Sequence, residues 1–237
     1  MPPARKRRVP TGNRLLAALP TKDYERLLPH LTQTNLIFAS TLYEPGDVVR
    51  HVYFPNSGIV SLLANVQDGG TLEVGIVGRE GMVGMPIFMG VNTSRNRAVV
   101  QGAGSALRMK SKDFRRECDN GGPLPYLMRR YAHSSWTQLS QSAVCNRFHL
   151  LDARLARWLL MTRDRMESDE FLLTQEFLSN MLGVRREGVS KAAGSLQQLE
   201  LVSYTRGTLT ILNRAGLKAV ACQCYAIIKE EYDGFYS

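Results

Sequence analysis

Three side chains in the last third of the chain have the chemistry to read base edges: Arg186, Glu187 and Lys191. A guanidinium makes two parallel hydrogen bonds to O6 and N7 of guanine. A carboxylate accepts from the amino group of cytosine, and an ammonium reaches a guanine edge or a phosphate. Their offsets of zero, one and five hold all three near one side of a helix, which they share with Arg185 and Ser190. Val189, Ala192, Ala193 and Leu196 make the opposite, apolar face.

Such a helix needs elements that position it. Thr174 is a good N-cap, Glu176 puts negative charge in a first turn, and Phe177, Leu178, Met181 and Leu182 recur at helical spacing before Gly183 ends the run. Two short helices joined at Gly183-Val184 predict a helix-turn-helix, whose second helix fits the DNA major groove. Thr174 and Gln175, at the start of the first helix, join the candidate DNA-binding residues. Leu199-Glu200-Leu201-Val202 and Thr208-Leu209-Thr210-Ile211 read as two strands of a β-wing around Arg206-Gly207, with Arg206 as a phosphate contact. A solvated charged helix in another kind of domain would explain one amphipathic segment, but not the series of cap, turn, helix and wing.

Leu173 to Ile211 resembles the C-terminal winged helix of the Crp/Fnr regulators, the family of the cyclic-AMP receptor protein. The segment Gly183-Val184-Arg185-Arg186-Glu187-Gly188-Val189-Ser190-Lys191 is similar to that family's Gly-x-Ser-Arg-Glu-x-Val-x-Arg core. Arg185 stands where the family often has a capping Ser or Thr, which implies a weaker cap and a phosphate contact. Lys191 replaces an Arg, keeping the charge but losing the rigid two-pronged donor. The resemblance implies a homodimeric regulator that binds a palindromic operator in double-stranded DNA and works with RNA polymerase.

At 237 residues the chain is long enough for one large or two small domains. A net charge of +9 favours a polyanionic partner, nucleic acid or an acidic membrane surface. No apolar run approaches the ~20 residues of a membrane span. The basic start, Met1-Pro2-Pro3-Ala4-Arg5-Lys6-Arg7-Arg8, has no apolar core after it, unlike a signal peptide. A cytoplasmic location is expected. Of the four cysteines, Cys118, Cys145, Cys222 and Cys224, only the last two are close. A Cys-x-Cys pair with no second pair or nearby His makes a poor zinc site, so reduced thiols and no metal are expected. Some members of the resembled family hold an iron–sulfur cluster on cysteines near the N-terminus; here no cysteine precedes Cys118.

The expected architecture is α+β. Residues 1–12 form a disordered basic arm, either a non-specific DNA anchor or a solubilising tail. Asn13–Leu19 reads as a short helix, and Thr21 caps another through Leu31, with Tyr24, Leu27 and Leu28 inward. Strands follow at Leu42–Tyr43, His51–Phe54, Ile59–Val66, Thr71–Val77, Arg97–Gln101 and Ala106–Met109, with a turn at Gln67-Asp68-Gly69-Gly70. Leu72, Val74 and Ile76 alternate with Thr71, Glu73 and Gly75, as one buried face requires. Many short strands argue for a barrel or sandwich. Glu44-Pro45-Gly46-Asp47, Tyr53-Phe54 and Ser57-Gly58-Ile59-Val60 resemble the opening of the family's cyclic-nucleotide-binding jelly roll, which is expected over 13–122.

The expected effector pocket comprises Gly84, Met85, Pro86, Arg95 and Arg97. The resemblance implies a Glu for the ribose at Met85 and an Arg for the cyclic phosphate near Arg95 and Arg97. A thioether accepts no strong hydrogen bond, and each lost bond to a buried sugar costs ~1–3 kcal/mol, which argues against a cyclic nucleotide. A cyclic nucleotide stays open as the disfavoured choice beside another effector or none, with Gly84 and Pro86 still suiting a tight turn into a helix that could take an anion. Met82, Met85, Phe88 and Met89 read as core filling.

A long helix over 123–147 starts at Pro123 or Pro125. Leu124, Leu127, Met128, Tyr131, Leu139 and Val144 give a partial stripe, interrupted by Ser134, Ser135, Gln138 and Ser142. In the resembled family it pairs with its copy; packing on the barrel as a surface helix is the alternative. The hinge falls near Cys145 to Phe148, and a winged helix-turn-helix domain over 148–237 begins with a helix facing Leu155, Trp158 and Leu159 inward. Ala215–Tyr232 reads as one further helix without an assigned role. His133 beside Ser134 and Ser135 makes no proton relay, because neighbours on a helix diverge, and no hydrolase, zinc-protease or phosphate-loop motif is present. No catalytic residue is expected. The alternatives to an effector-controlled regulator are an effector-independent one and a winged-helix module that binds protein.

Overall fold

The computed structural model describes residues 11–66 and 70–235. The expected basic arm, up to residue 10, and the turn residues 67–69 lie outside the described residues. The elements in chain order are α1 (Arg14–Ala17), α2 (Thr21–Leu27), β1 (Thr32–Leu36), β2 (Thr41–Tyr43), β3 (His51–Pro55), β4 (Ile59–Asn65), β5 (Thr71–Val77), α3 (Met85–Phe88), β6 (Arg97–Gly102), β7 (Gly104–Lys110), α4 (Ser111–Asp119) and α5 (Pro123–Phe148). Then follow α6 (Leu151–Met166), β8 (Glu170–Leu172), α7 (Gln175–Leu182), α8 (Arg186–Gln198), β9 (Val202–Thr205), β10 (Thr208–Ile211), α9 (Arg214–Val220) and α10 (Cys224–Phe235). The chain divides into two compact units, 11–60 with 77–133 and 61–76 with 134–235.

The strand-rich part has sheets in the orders β1-β7-β3 and β2-β6-β4-β5, the order of a jelly roll rather than of successive hairpins. In the first unit Val52, Phe54, Val100, Met109 and Phe114 are buried, with the rings of Phe54 and Phe114 tilted at 6.2 Å. Asn13 fastens α1 to this core with its whole side chain. Its Oδ1 accepts from the Leu16 amide at 3.0 Å, and its Nδ2 donates to the carbonyls of Pro55 and Gly81, each at 2.9 Å. Leu28, expected inward, is 46% exposed, because α2 ends at Leu27 and a 3-10 turn over Leu28–His30 swings it outward. β1 carries no periodicity and was not anticipated, being Thr32-Gln33-Thr34-Asn35-Leu36 with only Leu36 buried; α4, also not anticipated, is amphipathic but has Phe114 as its one large apolar side chain.

The long helix departs from its expected stripe. Leu124, Leu127, Met128 and Tyr131 are buried as anticipated, and the Tyr131 hydroxyl donates to the Met82 carbonyl at 3.3 Å. One turn further on, the buried positions are polar. Ser134 donates to Glu231 at 2.9 Å, and Gln138 donates to the Ile76 carbonyl at 3.2 Å while accepting from Arg165 at 3.3 Å. Ser142 is buried too, whereas Trp136, Leu139 and Val144 are exposed. The polar interruptions therefore satisfy the protein's own interior, and the apolar side chains face out. The helix runs on to Phe148, so the break falls at His149-Leu150 rather than at Cys145 to Phe148. The helix expected over Ala215–Tyr232 is two, α9 and α10, parted at Ala221–Gln223.

β5 shows a second departure. Simple alternation would place Glu73 in solvent, but its carboxylate accepts from Ser61 Oγ at 2.7 Å and from Trp158 Nε1 at 2.9 Å, within the second unit. Burial pushes this carboxyl up to about 7, against the opposing pull of the Ser61 hydroxyl, Arg157, Trp158 and Arg165. A carboxyl whose folded pKa is raised binds its proton more tightly folded than unfolded. Its contribution is thus full below about pH 4.5 and is lost as pH rises to about 7, a change of about 3 kcal/mol. Glu73→Gln still accepts from Trp158 Nε1, donates to Ser61 Oγ instead of accepting from it, and removes the titration, so urea melts at pH 5 and pH 8 should show a smaller loss of stability in the variant; an unchanged loss would contradict this assignment.

Candidate nucleic-acid interface

A surface that suits a polyanion is built on α7, α8 and the small sheet β8-β10-β9 of the second unit. Thr174 caps α7 as its sequence implies, its Oγ1 accepting from the Phe177 amide at 3.1 Å. Gly183 ends α7 with φ 62° and ψ 41°, a left-handed conformation that favours glycine, and a Cβ there would meet Leu72 Cδ1 at 2.8 Å and push that side chain aside. Arg154, buried on α6, donates from Nη2 to the Leu182 carbonyl at 2.5 Å. This cation satisfies a free carbonyl at the negative end of α7 and fixes the point where the chain turns into α8.

α8 starts at Arg186 with Arg185 as N-cap residue and no side-chain hydrogen bond at that cap, as the replacement of a capping hydroxyl implies. Val189, Ala192, Ala193 and Leu196 are buried, packing toward α6 and α7. Arg185, Arg186, Glu187, Ser190 and Lys191 are exposed. The small residues Ala192 and Ala193 let helices approach closely, and no charge of the outer face is drawn into the core. Ser190 Oγ donates back to the Arg186 carbonyl at 3.1 Å, leaving its lone pairs outward. Thr174 is exposed and Gln175 half-buried at the start of α7.

The wing differs in register from expectation. Its first strand is Val202–Thr205 rather than Leu199–Val202, because Leu199 is the C-cap residue of α8 and Glu200 takes a positive φ of 56°. β9 and β10 pair across Arg206-Gly207, whose φ values of 51° and 81° are those of a tight two-residue hairpin. Arg206 therefore stands exposed at the tip. The sheet has a third strand, β8, pairing Phe171 with Leu209. Tyr204, which sequence reasoning missed, ties wing to helix by donating from its hydroxyl to the Leu173 carbonyl at 2.7 Å. Its aromatic type in a strand signalled only packing.

Of the five expected pocket residues, Gly84, Met85 and Pro86 lie at the start of α3, Arg95 lies in the segment before β6, and Arg97 opens β6. Gly84 caps α3 with φ 103°, and Met85 and Pro86 are half-buried in that single turn. Arg95 is exposed, and Arg97 pairs with Glu44 at 2.9 Å. Met82 is buried as core filling, but Met89 is 61% exposed. A groove of about 370 Å³ opens elsewhere in the first unit, lined by Leu42, Tyr43, Asp47, Val48, Arg50, His51 and Tyr53.

The expectation that the cysteines are scattered also needs correction. Cys145, His149, Cys222 and Cys224 come together, with their ligand atoms all within 4.8 Å of one another, while Cys118 lies apart in the first unit. The available signal was Cys145-x-x-x-His149, a spacing of four that stacks two side chains on one helix face.

Two family profiles match the sequence: Crp-like helix-turn-helix domain over residues 153–220, and cyclic nucleotide-binding domain over residues 39–120. No curated protein matches by sequence. Among solved structures, a putative transcriptional regulator of the Crp/Fnr family from Eubacterium rectale superposes with TM-score 0.69 at 16% identity, over 85% of this chain and 94% of that one. FixK2 from Bradyrhizobium japonicum gives 0.69 at 15% identity, over 81% and 98%. CLP of Xanthomonas campestris, described as a c-di-GMP-responsive global regulator, gives 0.64 at 18%, over 80% and 98%. With both profiles in family order around the long helix α5, the chain belongs to the Crp/Fnr family of DNA-binding transcriptional regulators.

Proposed function

We propose that the protein acts as a homodimer on a palindromic operator, with α8 of each copy in successive major grooves about 34 Å apart. The division of labour is a jelly-roll sensor over 13–122, a dimerisation helix over 123–147 and a DNA-binding domain over 148–237. The observation that carries this reading is the two-faced α8: Arg186, Glu187 and Lys191 outward, Val189, Ala192, Ala193 and Leu196 inward. Arg186 reads guanine, Glu187 cytosine and Lys191 a guanine edge or phosphate, while Arg185, Ser190, Arg206, Thr174 and Gln175 hold the backbone. Work with RNA polymerase in the cytoplasm belongs to the same reading, on the strength of the family. Among the described residues no helix is long and apolar enough to cross a membrane.

The exposed side of α5 supports the dimer. Tyr126, Trp136, Leu139 and Val144 are 55%, 67%, 40% and 39% exposed, a large apolar surface for one helix to leave in water. A second copy of the same helix covers it self-complementarily. On the sensor side, Met85 offers no ribose acceptor and Arg97 is engaged by Glu44, which favours an effector other than a cyclic mononucleotide, or effector-independent binding.

With an operator selected from random DNA, Arg186→Ala should lose ~1–3 kcal/mol against one base position per half-site, whereas Arg206→Ala should weaken specific and random duplex alike. Equal losses for Arg186→Ala on both would contradict its role, and binding indifferent to salt would favour a protein partner over DNA. Trp136→Glu should shift the protein from dimer to monomer in sedimentation at micromolar concentration; a dimer that survives it would place the interface elsewhere.

A further inference from the structure

We propose that Cys145, His149, Cys222 and Cys224 form a structural zinc site that closes the base of the DNA-binding unit. Cys145 lies in the last turn of α5 and His149 just beyond its end; Cys222 lies in the break between α9 and α10, and Cys224 is the first residue of α10. Three thiols and an imidazole are a usual donor set for tetrahedral zinc. The spacing fits the ion. With zinc–sulfur bonds of about 2.3 Å and zinc–nitrogen bonds of about 2.0 Å, a tetrahedron has edges of about 3.8 Å between sulfurs and about 3.6 Å between sulfur and nitrogen. Cys145 Sγ and Cys222 Sγ are 3.4 Å apart, and Cys224 Sγ and His149 Nδ1 are 3.6 Å apart.

Two further observations point to an occupant. The three cysteines are buried together against Ala153 and His149 is half-buried, so the site has four protein donors with no open position, as structural rather than catalytic zinc requires. Zinc bound by three thiolates and a neutral imidazole carries one net negative charge. The buried guanidinium groups of Arg154 and Arg157 lie within electrostatic reach of these sulfurs, and the Nε atom of each is buried without a hydrogen-bond partner. Such cations are costly beside neutral thiols and well placed beside a zinc–thiolate centre. Binding releases the three thiol protons to solvent, and no oxidant or reductant is needed. A Cys145–Cys222 disulfide would use two of the four donors and leave Cys224 and His149 without a purpose. An iron–sulfur cluster spreads its ligands around several iron atoms, wider than four donors all within 4.8 Å.

The metal would join residues 145–149 to 222–224, enclosing the whole helix-turn-helix and wing between its ligands. The test uses the full chain, purified reduced and without metal-affinity chromatography. Elemental analysis should find about one zinc per chain, and exchange with cobalt should give thiolate-to-metal charge-transfer bands with the intense visible bands of a tetrahedral ion. Cys224→Ser and His149→Ala should each lower zinc affinity more than about tenfold, while Cys118→Ser keeps full stoichiometry. Should those variants fail to fold, zinc added to the metal-stripped wild type must slow alkylation of Cys145, Cys222 and Cys224 without protecting Cys118. Wild-type protein with little zinc and no cobalt spectrum, iron in place of zinc, metal content indifferent to both ligand variants, or a native Cys145–Cys222 disulfide would each overturn the proposal.

Discussion

The apolar underside of α8 sets what the rest of the second unit can do. A free 13-residue helix is marginal in water, and Gly188 and Gly194 weaken this one further. Burial of Val189, Ala192, Ala193 and Leu196 supplies what propensity lacks, about 1.5–3 kcal/mol for a fully buried leucine alone. The same burial fixes the helix's rotation, and rotation decides which charges face a groove. Gly183 and Arg154 then set where the helix starts: the first by permitting a left-handed turn against Leu72, the second by holding the Leu182 carbonyl. A change at either would move Arg186 and Glu187 without touching them.

The same economy of faces explains α5. Its inner side changes character along its length, from Leu124, Leu127, Met128 and Tyr131 to Ser134, Gln138 and Ser142, as the surroundings change from an apolar core to backbone carbonyls and carboxylates. Buried polar groups tolerate little alternative geometry, because a lost partner costs ~1–3 kcal/mol. The helix is thereby held in one orientation, with Trp136, Leu139 and Val144 on the outside. Glu73 is a further case, its carboxylate fixed by Ser61 and Trp158 at a position that strand alternation assigns to solvent.

Elements with a strong period were legible in the chain. Thr174, the spacing of Phe177 to Leu182, and Gly183 located α7 and its end, and the α8 faces followed from residue types alone. Strands β3 to β7 were legible from turns and alternation, while β1, with four polar residues in five, was not. The wing's first strand shifted because Leu199-Glu200-Leu201-Val202 looks apolar enough to be a strand, whereas Glu200 adopts the left-handed conformation that ends a helix. What stayed hidden depended on distant partners. Nothing local marks Tyr204 as a tie to Leu173, or says that Cys145 and Cys222, 77 residues apart, have sulfurs in contact. The effector residues were transferred from a family pattern, and nothing local to Arg97, at the start of β6, marks its ion pair with Glu44, just after β2.

The central claim is that the outer face of α8 reads base edges in the major groove, twice per dimer. Methylation interference on DNA selected by the protein tests it directly, since a methyl group on guanine N7 blocks that edge while leaving phosphates and minor groove intact. The account predicts two clusters of interfering guanines about one helical turn apart, each losing the same position in Arg186→Ala protein. Tight binding with no interfering guanine, or a pattern unchanged by Arg186→Ala, would contradict it.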